Sequence, residues 1–225
     1  MKTLKQIRDK VIDDLDLYEE TFVDEPELNA FINEGIAKVE SAIHTLYEDY
    51  FLAPYTFTVE QGVNLYDYPP DIYANKVRML LFSDGTDAYE VKRSMDVKKD
   101  LLYETIVEPS AGCTLKWYPV NGADTGKKIR LFPDTTDTGE IELWYIRNAK
   151  VLVNDEDVCD IDEFANVVEL YVKTQVYLKD GDPRTSSMAA LEEKAGIRMV
   201  NTLSDMVQDD DNYVQADYDH YEESI

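Results

Sequence analysis

Six carboxylates crowd one short stretch of the chain: Asp155, Glu156, Asp157, Asp160, Asp162 and Glu163. Oxygen donors at this density are what a calcium ion takes as ligands. A helix–loop–helix calcium site, however, requires glycine at its sixth position, and counting from Asp155 the sixth residue is Asp160. The stretch therefore reads as a solvated loop with helix-capping acids. Asp134, Asp137 and Glu140, around Gly139, read as hairpin chemistry. The two histidines offer little more. His44 follows Ile43 in a helical pattern and reads as structural, and His220 lies in an acidic tail with no nucleophile partner. A glycosidase would need two carboxyls held across a cleft, one with a raised pKa. Glu34 with Glu40, or Asp67 with Asp71, are no better candidates than many other pairs among 47 acidic residues. Phosphate-binding and dinucleotide-binding glycine motifs are lacking. No catalytic residue, metal site or cofactor is expected.

The net charge of −25 speaks against wrapping nucleic acid, which takes Lys and Arg to neutralise phosphates. It does not speak against a channel through which DNA merely passes. No run is apolar enough to span a membrane. The opening residues lack the apolar centre of a signal peptide, so the protein is expected to be made and kept in a cytoplasm. Cys113 and Cys159 read as free thiols. Sixteen tyrosines suit either a core or a binding surface, whereas Trp117 and Trp144 fall on strand patterns and read as core.

The elements that must position these residues follow from periodicity. Thr3 and Gln6 form a capping box for a helix ending near Leu17. Asp24 caps a second, with Pro26 in its first turn, and its apolar stripe runs from Leu28 to about Tyr50. Pro54 should stop its continuation. Strand alternation begins at Tyr55, turns at Gln61-Gly62 and can return over Asn64 to Tyr68. Val77 to Phe82, the Asp84-Gly85 hairpin signal, and Tyr89 and Val91 continue the pattern. A short helix over Asp96 to Tyr103 is followed by strand candidates at Thr105 to Val107, Cys113 to Tyr118, Lys128 to Phe132 and Glu140 to Arg147. Asp160, with Glu163, reads as a capping box for a helix whose stripe holds Ile161, Phe164, Val167, Val168, Tyr171, Val172 and Leu178. Gly181 suits the left-handed end of that helix, and Asp182-Pro183 opens the next, with Met188, Leu191, Ala195, Met199, Leu203 and Met206 on one face. Phe164, Val168, Tyr171, Val172, Leu191 and Leu203 are the expected packing core.

The fold class is thus α+β: a helical bundle from the N- and C-terminal helices with an inserted small β-rich domain. The boundaries read as 1–54 and 151–208 for the bundle, 55–150 for the insertion, and 209–225 for an acidic tail that is disordered when free. Asp209, Asp210 and Asp211 should fray the last helix, because a helix C-terminus repels anions. Tyr213, Val214, Tyr218 and Tyr221 punctuate the tail as candidate docking anchors.

In order and in motif the chain resembles the head–tail adaptor proteins, also called connector or tail accessory factors, of short-tailed bacteriophages. The resemblance rests on Leu143-Trp144-Tyr145-Ile146-Arg147, the acidic loop, the Gly181-Asp182-Pro183-Arg184 turn and residues 57–82. There a Thr-rich strand, a glycine turn and a Tyr-x-x-Pro end (Tyr66, Pro69) follow the family pattern. It covers most of residues 3 to 208; Val91 to Asn121 have no clear counterpart. The resemblance implies a homo-oligomeric ring, in the family usually twelve copies, that binds the portal and tail proteins at the head–tail junction of the virion. Genomic DNA would pass through without sequence-specific binding. Glu169, Glu192 and Glu193 are candidates to line that channel, and the tail is a candidate to dock on the portal. Two other classes stay open: an acidic DNA-mimic or chaperone-like binding module, and a cell-wall-degrading tail enzyme.

Overall fold

A computed structural model describes residues 1–18, 22–95, 115–122, 126–132 and 138–222, with side chains as far as residue 207. The chain divides into two compact units. Residues 1–50 and 149–225 form one; residues 51–148 form the other. Both helices and sheets are present, as expected of an α+β protein.

Among the described residues, the first unit holds the α-helices. Helix α1 (Leu4–Leu15) opens on Thr3, whose hydroxyl accepts from the Gln6 N–H while the Gln6 side chain accepts from the Thr3 N–H. It closes on Asp16 in the left-handed region. Helix α2 (Glu25–Leu46) is capped by Asp24, whose carboxylate accepts from the Glu27 N–H. A 3-10 turn over Glu48–Phe51 replaces the last turn predicted for it. Helices α3 (Ala165–Asp180) and α4 (Thr185–Glu222) are joined at Gly181, which takes φ 71°. Helix α3 is central: α1, α2 and α4 all pack on it. At Gly35 the α2 backbone comes so close to α3 that an added Cβ would lie 3.1 Å from both Val168 and Tyr171.

Four expectations for this unit fail. Asp160 and Glu163 form no capping box. Asp162–Phe164 is a 3-10 turn without a side-chain cap, and Asp160 accepts from the Lys150 N–H instead. Leu178 is 61% exposed; the α3 stripe continues through Val176. Leu191 is 51% exposed, and the buried line of α4 runs Glu192, Ala195, Met199, Leu203. Phe164, Val168, Val172 and Leu203 are buried and Tyr171 is half-buried. The backbone of α4 also continues through Asp209–Asp211 to Glu222. Those aspartates lie inside the helix, and the dipole penalty is confined to the last turn.

The second unit is built from two four-stranded sheets. The strands are β1 (Leu52–Val59), β2 (Leu65–Asp67), β3 (Ile72–Ser83), β4 (Ala88–Glu90), β5 (Lys92–Arg93), β6 (Lys116–Gly122), β7 (Gly126–Phe132) and β8 (Gly139–Arg147). One sheet has the order β1-β8-β3-β4 and the other β2-β7-β6-β5. Alternation along the strands sends Val59, Leu80, Phe82, Ile141 and Leu143 from the first, and Trp117, Ile129 and Leu131 from the second, into one shared apolar cluster. Trp117 is thus core, as read from sequence. Pro54 lies inside β1 opposite Trp144; it is tolerated because β1 is an edge strand, where an N–H can be spared. β2 does not return along β1 but pairs with β7 in the other sheet. Tyr66 secures the turn between β1 and β2: its hydroxyl donates to the Val63 carbonyl at 2.8 Å and accepts from the Glu60 N–H at 3.2 Å. The Asp84-Gly85 hairpin joins β3 to β4, with Asp84 accepting the N–H groups of Thr86 and Asp87 at 2.8 Å. Ala74 and Asn75, both at positive φ, interrupt the β3–β8 ladder. The helix expected over Asp96 to Tyr103, the strand over Thr105 to Val107, Cys113, and the loop residues 133–137 lie outside the described residues.

Candidate functional site

Five of the six carboxylates that could have gathered a cation bond the chain's own groups, and Glu156 is exposed. Residues 149–162 run as an extended strap over α1 and α2. Glu40 accepts from the Ala149 N–H at 2.7 Å. Asn33 receives Leu152 as a neighbouring strand would, its carbonyl accepting the Leu152 N–H and its amide donating to the Leu152 carbonyl, both at 2.9 Å. Farther along, the chain's first residues lie against the strap. The N–H groups of Leu4 and Lys5 donate to the carbonyls of Asp157 and Asp155, and the Cys159 N–H donates to the Lys2 carbonyl.

Five of the six acids then find partners. Asp155 accepts from the buried Arg8 guanidinium at 2.9 Å, and Asp162 from the Lys2 N–H at 2.7 Å. Asp157 accepts from the N–H groups of Asn154 and Val153 and from Lys150 Nζ. Those backbone donors, with Lys150, hold its carboxyl well below the usual range. Glu163 bonds the Tyr50 hydroxyl, whose pKa burial and this carboxylate push upward. Cys159 is buried and free, its thiol pushed up to about 11 by desolvation. Among the described residues no group of three or more His, Cys, Asp or Glu is placed to share a metal ion.

The candidate channel-lining residues fare differently from one another. Glu169 is 7% exposed and holds Lys2 Nζ at 2.6 Å. Glu192 is 8% exposed and holds Lys38, which also lies 5.3 Å from the centre of the Tyr171 ring. These two carboxylates clamp the N-terminus to α3 and α2 to α4. Glu193 is exposed. Tyr213, Val214, Tyr218 and Tyr221 lie on the helical backbone of α4. His44 is buried, 3.4 Å from Glu40. Lys2 and Lys38, the cations on which both clamps depend, escaped sequence reasoning because their partners lie 167 and 154 residues away.

Charge is unevenly divided. The helical unit carries 11 Lys and Arg against 32 Asp and Glu, net −21; the β unit carries 11 against 15, net −4. On α4 the surface beside α2 forms an open groove of about 610 Å³ lined by Val39, Ala42, Ala189, Ile197 and Val200, with Lys38 and Glu193 at its rim.

The helical unit is tied to its own first residues, and the β unit has its own core. The sequence profile of the SU10 adaptor protein family matches residues 2–217. The chain therefore belongs to the SU10 adaptor protein family and is a bacteriophage adaptor, a virion component. No curated protein sequence matches it.

Proposed function

We propose that the chain is a head–tail adaptor that assembles as a closed ring below the portal of a short-tailed phage, extends the DNA channel and offers a platform for tail proteins. The observation that carries this reading is the family match over residues 2–217. In the proposed arrangement the termini build a helical bundle and the β unit is an insertion into it. The charge division supports the channel role: a surface at −21 per copy repels phosphate, so DNA would slide without adhering. Of the acids first considered for the lumen, Glu193 remains a candidate; Glu169 and Glu192 are committed to Lys2 and Lys38. Twelve copies is the number the family resemblance implies.

The test is the mass of the purified chain, alone and with portal protein, by native mass spectrometry. A ring, formed alone or on the portal, supports the adaptor. A chain that stays monomeric with portal yet binds basic proteins stoichiometrically favours the acidic mimic.

A further inference from the structure

The cations of the helical unit are almost all spoken for. Lys2, Arg8, Lys10, Lys38, Lys150, Lys173, Lys179 and Arg184 each hold a carboxylate. Of the other three, Lys5 stands by itself on α1, whereas Lys194 and Arg198 lie one turn apart on α4; all three are exposed and hold no carboxylate among the described residues. In a unit with 32 acids, two adjacent cations without a carboxylate are unexpected. Beside them stand large apolar side chains that the fold leaves in water. Leu191 and Ile197, on the same face of the helix as the two cations, are 51% and 56% exposed. The surface therefore suits a partner that is both apolar and acidic.

The chain contains such a segment. Residues 208–225 hold seven Asp and Glu and no Lys or Arg. In sequence, Val207, Val214, Tyr218 and Tyr221 follow one another at steps of seven, four and three, which is a helical repeat. This segment cannot reach that face of its own chain. The start of α3 lies beside Met199 and Met206, and α4 continues as one helix from there to Glu222. At 1.5 Å per residue, Tyr218 is about 31 Å from Ile197 along an unbroken helix.

We propose that the acidic segment 208–225 of one copy docks on α4 of the next copy, its apolar residues over Leu191 and Ile197 and its carboxylates on Lys194 and Arg198. Segment and helix face are different surfaces, so the contact is heterologous; repeated around an axis it closes a ring. The inference rests on the ring reading and adds the surface that joins the subunits.

The test uses the full chain with the photo-cross-linker p-benzoylphenylalanine in place of Tyr218. It is mixed with an isotopically heavy, unmodified copy, alone and with portal, irradiated, and mapped by mass spectrometry. Light–heavy cross-links into residues 189–200 are expected. Lys194→Glu with Arg198→Glu should lower their yield by roughly tenfold or more, as lost charge complementarity does. Thermal unfolding should not change, because both side chains are exposed. Cross-links elsewhere, onto portal alone, or insensitive to the charge reversal overturn the proposal. Imaging the same samples separates the two readings. A ring without these cross-links removes this interface and leaves the ring; no ring and no such cross-links removes both.

Discussion

Removing the acid of the Arg8–Asp155 pair should cost more than removing the base. Arg8 is 5% exposed, with Nη2 on Asp155 at 2.9 Å and Nη1 on Asn29 at 3.1 Å, while Asp155 is 51% exposed. Asp155→Ala leaves a buried cation with one neutral partner. A buried charge deprived of its partner loses roughly 3–5 kcal/mol. Glu25, 3.9 Å from the same guanidinium, can make up part of this, so about 3 kcal/mol is expected. Arg8→Met keeps most of the buried stem and removes the charge, and Asp155 is left where water can solvate it. That change should cost less than about 1 kcal/mol, because well-packed apolar replacements of buried ions are often near neutral. The assay is urea unfolding followed by helical circular dichroism. With a slope of about 2 kcal/mol/M, the midpoint should fall by about 1.5 M for Asp155→Ala and by less than about 0.5 M for Arg8→Met. The double variant should lie near Arg8→Met. Equal losses for the two single variants, or a larger one for Arg8→Met, would refute the reasoning.

The α4 register can be checked with two leucines: Leu203→Ala should cost about 2–5 kcal/mol and Leu191→Ala less than about 1 kcal/mol in the monomer, measured by the same unfolding curves. Asp157 and Asp14 have depressed pKa values, from backbone and Lys150 donors in one case and from Lys10 and Lys173 in the other. Their contribution to stability is present above the unfolded carboxylate value, about 3.9, and is lost as pH falls below it towards their folded values. An acid titration of Asp157→Asn should therefore show a shallower decline than the parent, and parallel curves would contradict the assignment. Cys159, raised to about 11 by burial, should resist alkylation at neutral pH until the helical unit is unfolded in urea, which peptide mapping would show. Gly139→Ala places a Cβ 2.6 Å from the Ser83 carbonyl oxygen, so it should lower the melting temperature of the β unit by the equivalent of about 1–3 kcal/mol.

The signals that read correctly from sequence were local. The Thr3–Gln6 box, the Asp24 cap, Gly181 and the Asp84-Gly85 hairpin each satisfy their donors within a few residues, so spacing alone reveals them. The signals that misled were those with a distant competitor. Asp160 and Glu163 are spaced for a cap, but Lys150 and Tyr50 claim them. Leu191 is the more apolar neighbour of Glu192, yet Lys38 makes burial of the carboxylate tolerable and turns the helix face by one residue. Periodicity cannot see a salt bridge that spans 154 residues. The same limit hid the strap, since nothing in residues 149–154 announces that Asn33 and Glu40 will bond their backbone. Strand β1 starts at Leu52 instead of Tyr55 for a different reason: whether a strand tolerates Pro54 depends on its being central or at an edge, which only the sheet order decides.

The adaptor reading is tested most directly by electron microscopy of the chain mixed with portal rings. The account predicts a second ring coaxial with the portal, continuing its channel and absent from portal alone. Portal rings that stay bare at saturating chain would contradict it.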